Sequence, residues 1–478
     1  MNTLIHKLYA GSPTWCQELA ITTKSAMDQH RRRGGNYRNL FEAFQRLQWA
    51  REDELHAWRL KQFQKVFTEA AKEVPYYKAL FHQVGVDPQG FKDFDHLRIF
   101  PMLEKQEIRE RPEYYNNPKR KAVYVGFTGG TTGTPLASPH DAESGQYSYA
   151  LMDRFYMQCG VRWEEKSVYL GANPIVPGRE EKNFGRLDHA TRTLFMSMRH
   201  MSDKTLDKYV HAIKNHSPQY LRGITSFIYN VARQINEQGR SGEIRIPFLF
   251  TTSETLTSHM RQAIEHAFGG RVFDYYGSTE GVPMITQCRA GRYHIVPESG
   301  HIEFLRPDGS HADPGERAEM VMTSFRSRLR PLLRYRIMDA ASYSTEKCPC
   351  GLHWTIVEQI HGRFAEWIVT RHGRTISLMG DLIMKSGAEL GFRELQVIQT
   401  KPDHFIVRAV KGHGYSKASE ELLRKRFVAN MHHDVTMEFD YTDKIERSPG
   451  GKRRIIISKL AQDLYDSCFD VSSEKRAG

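Results

Sequence analysis

The sequence predicts an α/β protein: a large multi-layer N-terminal α/β domain followed by a small α+β C-terminal domain. Three observations carry that expectation. Between about residues 120 and 340, short apolar runs alternate with helical patterns, the mark of helices packed on a sheet. After about residue 362 the character changes to two short strand-like runs flanking a helical one. And 478 residues exceed one typical domain.

Taken in chain order, the lead-in to about residue 115 reads as helical. Leu55, Trp58, Phe63, Val66, Phe67 and Ala70 fall on one face at helical spacing, and Pro75 stops that helix. Ser167–Leu170 and Pro247–Phe250 read as strands, 204–215 and 256–267 as helices. Beyond the join, Phe405–Val407 and Ile455–Ile457 read as short strands and Leu422–Met431 as a helix. The join is placed at Gly362-Arg363, giving domains 1–362 and 363–478, the second expected to move against the first.

Composition narrows the function classes. Apolar residues make up 40% and charged residues 26%, the mix of a protein with a sizeable core. No apolar run approaches the roughly 18 residues of a membrane span, and the N-terminus has no apolar signal core. No membrane partner is therefore expected, and a cytoplasmic enzyme is. Net charge is +12, but the basic runs Arg31–Arg33, Lys119–Lys121, Arg424–Arg426 and Lys452–Arg454 are scattered among acids. A nucleic-acid reader would cluster them with stacking aromatics. Anionic small molecules such as ATP or CoA fit as well, a solvated basic surface is the better reading for most of these runs, and a homodimer is compatible with the sequence.

Six cysteines do not make a disulfide scaffold in a chain of this length. Four residues, Cys288, His294, Cys348 and Cys350, offer three thiolates and an imidazole, a set that suits a closed, structural tetrahedral zinc. His301 or His353 could replace His294, and buried, unliganded cysteines are the plainer alternative.

The most informative segment is Phe127-Thr128-Gly129-Gly130-Thr131-Thr132-Gly133-Thr134-Pro135. Its glycines let the backbone approach an anion and turn successive N–H groups inward, and its threonines add hydroxyl donors. It is not a Walker loop, since it lacks the Gly-Lys-Ser/Thr ending. A plain Gly/Thr hairpin is the competing reading.

Further segments come in order along the chain: Ser253-Glu254-Thr255, Tyr275-Tyr276-Gly277-Ser278-Thr279-Glu280, Arg334-Tyr335-Arg336-Ile337-Met338-Asp339, Gly362-Arg363 and Gly451-Lys452. With the Gly/Thr loop they resemble the signature motifs of the adenylate-forming superfamily. Val74-Pro75-Tyr76-Tyr77, Pro101-Met102-Leu103-Glu104-Lys105, Pro331–Arg336 and Cys348-Pro349-Cys350-Gly351 are most similar to phenylacetate–CoA ligases and to related proteins of capsular-polysaccharide clusters. The chain departs from the pattern at Gly129, where a hydroxyl residue is usual, in having no lysine on the loop, at Ala365-Glu366, where Asp-Asp is usual, and in lacking the proline-bearing segment around 374–384. The last two bear on the thioester-forming step.

The resemblance implies roles. Thr128, Gly129, Gly130, Thr131, Thr132, Gly133 and Thr134 would hold ATP phosphates. Glu280 would hold Mg²⁺, a hard cation that takes carboxylate oxygen. Ser253, Glu254 and Thr255 would flank the adenine and Tyr276 would offer it an aromatic face, Tyr275, Gly277, Ser278 and Thr279 would also bind ATP, and Asp339 would accept the ribose hydroxyls. Arg363 would act at the pivot, and Lys452 would bring a point charge to the reacting phosphate and carboxylate. By position Thr225, Ser226, Phe227, Gly281 and Val282 would line the acceptor pocket, small and apolar as for an aromatic or aliphatic acid. The implied activity is ATP- and Mg²⁺-dependent activation of a small carboxylate to acyl-AMP, followed by thioester formation with CoA. Transfer to an amine or hydroxyl, AMP left on the product, and a non-catalytic polysaccharide-cluster protein are the alternatives.

Overall fold

The computed structural model describes the chain except at residues 1–2, 129–135, 172–174, 178–181, 198–199, 202–203, 254–255, 257, 307, 361–367, 372–374, 377–382, 384–388, 413, 432–433, 444, 446–455, 459 and 461–478. The lead-in is helical: α1 (Thr3–Gly11), α2 (Thr14–Arg33), α3 (Tyr37–Leu47), α4 (Glu52–Glu73), α5 (Pro75–Val84) and α6 (Lys105–Glu110). Pro75 both ends α4 and opens α5, where a missing N–H costs nothing. The buried face of α4 is Leu55, Phe63, Val66, Phe67 and Ala70. Leu55 packs with Phe44 and Trp354, and the rest of the face packs with Tyr77, Phe91, Phe94 and Phe100 on two residues from far along the chain, Phe325 and Leu333.

A hairpin of β1 (Tyr124–Phe127) and β2 (Ala137–His140) precedes the long helix α7 (Ala142–Cys159). The main sheet then takes twelve strands: β3 (Ser167–Gly171), β4 (Gly185–Asp188), β5 (Thr193–Ser197), β6 (Tyr220–Ile224), β7 (Phe248–Thr252), β8 (Arg271–Tyr276), β9 (Ile285–Gln287), β10 (Tyr293–Ile295), β11 (Gly300–Leu305), β12 (Ala318–Ser324), β13 (Tyr335–Ser344) and β14 (Ile356–Ile360). Their order across the sheet is β11-β12-β13-β14-β10-β9-β8-β7-β6-β3-β5-β4.

The run β8-β7-β6-β3-β5 is parallel. Helices α8 (Leu206–His216), α9 (Thr225–Glu237) and α10 (Ser258–Phe268) connect its strands, as parallel neighbours require. These helices bury one face of the run around Leu170, Leu221, Ile228 and Leu249. On the other face, Phe155, Tyr156 and Cys159 of α7 pack on Tyr220, Phe250 and Phe273.

The C-terminal part has a core of its own. Strands β17 (Phe392–Lys401), β18 (His404–Lys411), β19 (Thr436–Tyr441) and β20 (Ile456–Ser458) form a sheet ordered β19-β18-β17-β20. Helix α11 (Lys417–Met431) lays Leu423, Phe427 and Met431 on Val397, Phe405 and Val407. Ahead of it, β15 (Ile368–Val369) and β16 (Thr375–Ile376) pair with each other. Among the described residues no helix is long and apolar enough to cross a membrane.

Candidate active site

In a parallel sheet, ligands bind beyond the carboxyl ends of the strands, and several of the expected site residues stand there. Ile224, Thr252 and Tyr275 are register partners at the ends of β6, β7 and β8. Thr225 follows the first and donates through Oγ1 to the Thr252 carbonyl at 3.3 Å. Thr252 in turn donates to the Tyr275 carbonyl at 3.1 Å. Ser253 follows the second at φ 72°, a left-handed conformation that a serine adopts only at a cost and that clusters at functional positions. Gly277 to Glu280 follow the third. Gly281, at φ 80°, then turns the chain back toward β9 as only glycine does without strain.

Tyr276 donates its hydroxyl to Asp339 Oδ2 at 2.7 Å, joining two motifs 63 residues apart. Glu280 is buried. Its Oε1 receives Lys105 Nζ at 3.1 Å and the Tyr335 hydroxyl at 3.3 Å. Burial alone would raise this carboxyl, but the Lys105 ammonium and its hydrogen-bond donors hold it below the ordinary value, so it stands ionised. His140, at the end of β2, is 2.9 Å through Nε2 from the Thr279 carbonyl and tethers the hairpin to the same turn.

The sequence points to Lys105 only as part of a family marker and assigns no role to Tyr335 or His140. Leu103 forms a bridge with Tyr335, its N–H donating to the Arg334 carbonyl at 2.9 Å, and that pairing sets Lys105 beneath Glu280. No local pattern announces a contact between residues so far apart.

Thr128 is buried and closes the base of the Gly/Thr loop. Its N–H donates to the Leu136 carbonyl at 3.1 Å, and its hydroxyl accepts from the Leu136 N–H at 3.0 Å. The remaining loop residues Gly129, Gly130, Thr131, Thr132, Gly133 and Thr134 lie outside the described residues, as do Glu254, Thr255, Arg363 and Lys452. Of the expected acceptor lining, Thr225 is buried, Phe227 packs into the core under α9 and Val282 into the core beneath the antiparallel strands. Ser226 follows Thr225 on α9.

A second cluster lies on the neighbouring strands. Cys288, His294, Cys348 and Cys350 bring their ligand atoms within 4.8 Å of one another. The Cys288–Cys348 sulfurs are 3.7 Å apart, and Cys350 Sγ is 3.5 Å from His294 Nε2. A tetrahedral zinc with bonds of ~2.3 Å to sulfur and ~2.0–2.1 Å to nitrogen has edges of ~3.8 and ~3.6 Å, so the spacing fits that ion. His294 sets Nδ1 at 3.1 Å from the Trp354 carbonyl, leaving Nε2 for the sulfurs. His301, the alternative ligand, is instead stacked on Phe94 and bonded to Arg59.

Residues 57–307 match the family described as AMP-binding enzyme, and residues 368–459 match the CapK C-terminal domain. Protein CapK of Staphylococcus aureus is 25% identical over 466 residues, 96% of this chain and 100% of that protein. The phenylacetate-coenzyme A ligase of Thermus thermophilus is 23% identical over 327 residues, 67% of this chain and 72% of that one. Among solved structures, 2-hydroxyisobutyryl-CoA ligase with 2-HIB-AMP and CoA in the thioesterification state superposes with a TM-score of 0.62 at 18% identity, over 88% of this chain and 94% of that one. That last likeness is one of fold.

Proposed function

The chain belongs to the AMP-binding enzyme family, and from that premise we propose that it activates an organic carboxylate with ATP, releasing pyrophosphate, and passes the acyl group of the resulting adenylate to CoA. The observation that carries this reading is the convergence of Glu280 with the Tyr276–Asp339 pair beyond the carboxyl ends of β6, β7 and β8.

Asp339, anchored by the Tyr276 hydroxyl, would accept the ribose hydroxyls, while the Tyr276 ring offers an apolar face to the base. Glu280 fits Mg²⁺ because it is an ionised carboxylate whose Lys105 and Tyr335 contacts both fall on Oε1. Bound there, the ion would supply neutralising charge for the phosphates. Thr128, at the base of the Gly/Thr loop, would fix that loop's ends so that its amides meet the β- and γ-phosphates. The acceptor carboxylate oxygen attacks the α-phosphorus in line as the bond to pyrophosphate breaks; positioning and charge stabilisation do the rest. Lys452 would bring its charge to that centre and Arg363 would serve at the pivot between domains 1–362 and 363–478.

A second reading keeps the activation step and changes the transfer: the acyl group goes to an amine or hydroxyl, or AMP stays on the product. The match of residues 368–459 to the CapK C-terminal domain favours it, because that part of the chain would serve the second step. One experiment separates the readings: pyrophosphate release against a panel of carboxylic acids, with and without CoA. Release that depends on an acid, with CoA thioester as product, is the expected result. Turnover indifferent to CoA would favour the second reading, and no release with any acid would point to a non-catalytic protein.

A further inference from the structure

Side chains alternate along β6. Leu221 joins the core under α8, α9 and α10, whereas Tyr220 packs with Phe155, Tyr156, Phe250 and Phe273 on the α7 side. Arg222 is therefore on the α7 side, flanked in register by Tyr169 of β3 and Phe250 of β7. It lies one layer below the strand-end row of Ile224, Thr252 and Tyr275, in the floor of the crevice where the acceptor would enter.

The surroundings of this cation are unusual. Tyr156, Tyr220, Tyr169 and Tyr275 gather around it, and its guanidinium carbon is 4.7 Å from the Tyr169 ring centre. Gly171 makes that stacking possible, since a Cβ there would meet the Tyr169 ring at 2.2 Å. Arg222 Nε is sealed from solvent and has no hydrogen-bond partner among the described residues. No carboxylate among the described residues lies within ion-pair distance of the group. Arg222 as a whole is only partly buried.

A buried charge without a partner is costly, and buried cations in proteins are almost always paired. A tyrosine face offsets part of that cost but leaves the in-plane N–H fork unused. Such a fork matches a carboxylate or phosphate group bidentately. Arg326 and Arg330, also sunk near this site, have no carboxylate partner among the described residues either, but their N–H groups are used. Arg326 donates to Ser148 and to the Val282 carbonyl, and Arg330 to Asn116 and the Ala137 carbonyl.

We propose that Arg222 is an anion subsite in the floor of the acceptor crevice, and that the carboxylate activated here carries a second anionic group at its far end. The inference rests on the adenylation reading above. Two to three residues separate Arg222 from the strand ends, which at ~3.3 Å per residue is roughly 7–10 Å. The ligand class is thus an extended acid whose second anion stands about that far from the reacting carboxylate, across an alkyl chain or an aromatic ring.

The test uses paired acids that differ in the distal charge: octanoate against suberate, and phenylacetate against 1,4-phenylenediacetate. Pyrophosphate release, isothermal titration of the acids without ATP, and thermal unfolding are measured for the full chain and for Arg222→Gln and Arg222→Lys. The wild type should prefer the doubly charged member of each pair. Arg222→Gln should lose roughly 10²-fold in kcat/KM on that member, with a change under about threefold on the other, and Arg222→Lys should recover part of the loss. Because no carboxylate among the described residues pairs with the wild-type charge, the Gln variant without acid should melt at or above the wild-type temperature. Equal loss on both members with a lower melting temperature would make Arg222 a strut among tyrosines and overturn the inference, as would a wild-type preference for singly charged acids. Charge-selective binding lost in the Gln variant, without pyrophosphate release, would keep the subsite and remove the adenylation reading. Absence of both would remove the subsite.

Discussion

Glu280 holds a negative charge in a buried place because Lys105 stands 3.1 Å away with its own side chain 21% exposed. The two partners are therefore not equivalent. Glu280→Gln leaves behind a lysine that can turn to water, so stability should fall by only about 1 kcal/mol. If the carboxylate holds Mg²⁺, pyrophosphate formation should drop tenfold or more. Lys105→Met leaves the buried carboxylate without its cation and should cost about 3 kcal/mol; urea midpoints of the two variants measure that asymmetry. Asp274 shows the opposite environment. Burial pushes its carboxyl up to about 6 despite hydrogen bonds from Thr251 and Tyr293. Between about pH 4 and 6 the folded chain then binds the proton that the unfolded chain has released, so this group's contribution to stability declines as pH rises through that range. Asp274→Asn should remove that decline, narrowing the stability difference between pH 4.5 and 7 by about 1–3 kcal/mol; parallel denaturation curves at the two pH values would decide it. At this scale the sequence conveys Tyr276, Glu280 and Asp339 through their motifs. Lys105 as the partner of Glu280, and Arg222 as a cation ringed by tyrosines, depend on contacts between distant segments that no local spacing encodes.

Elements show more of themselves in the sequence than their arrangement does. The apolar stripe of α4, strands β3 and β7, helices α8 and α10, and α11 with β18 and β20 all lie where periodicity places them, within a few residues. Periodicity does not reveal that β11 to β14 join the same sheet as β3 to β8, with β10 and β9 between, since strand order is set by which faces find each other. The Cys/His cluster belongs to this scale because it ties elements together. Cys288 follows β9, His294 is in β10, and Cys348 and Cys350 lie on the segment between β13 and β14. If zinc occupies it, protein purified without chelator should carry about one zinc per chain. Cys350→Ser, or prolonged chelation, should lower the melting temperature by several degrees before any effect on acid specificity appears. Metal analysis together with differential scanning calorimetry tests both parts, and metal-free protein of undiminished stability would show the cysteines to be ordinary buried thiols.

For the whole molecule, the proposed chemistry divides between two cores, one beneath the main sheet and one between α11 and the C-terminal sheet. Lys452 lies in the sequence of the second, whereas the phosphate it would meet would be held by the first. Its effect should therefore fall on one half-reaction. Lys452→Ala should leave ATP binding nearly unchanged and lower acyl-adenylate formation by roughly 10²–10³, while synthetic acyl-adenylate is still converted to product. Equal loss in both assays would give Lys452 a structural role instead. The order of the chain has a different consequence, for how the protein is made. Tyr77 donates its hydroxyl to the Pro331 carbonyl and accepts from the Leu333 N–H, Phe63 and Phe67 pack against Phe325 and Leu333, and Leu103 pairs with Tyr335. Helices α4 and α5 and the segment after them are thus covered by residues made roughly 230–270 positions later. At roughly 5–20 residues per second, a ribosome leaves that aromatic face without its cover for about 10–50 s. A nascent chain with that aromatic face uncovered should be prone to associate with other chains until residues 325–335 emerge to cover it.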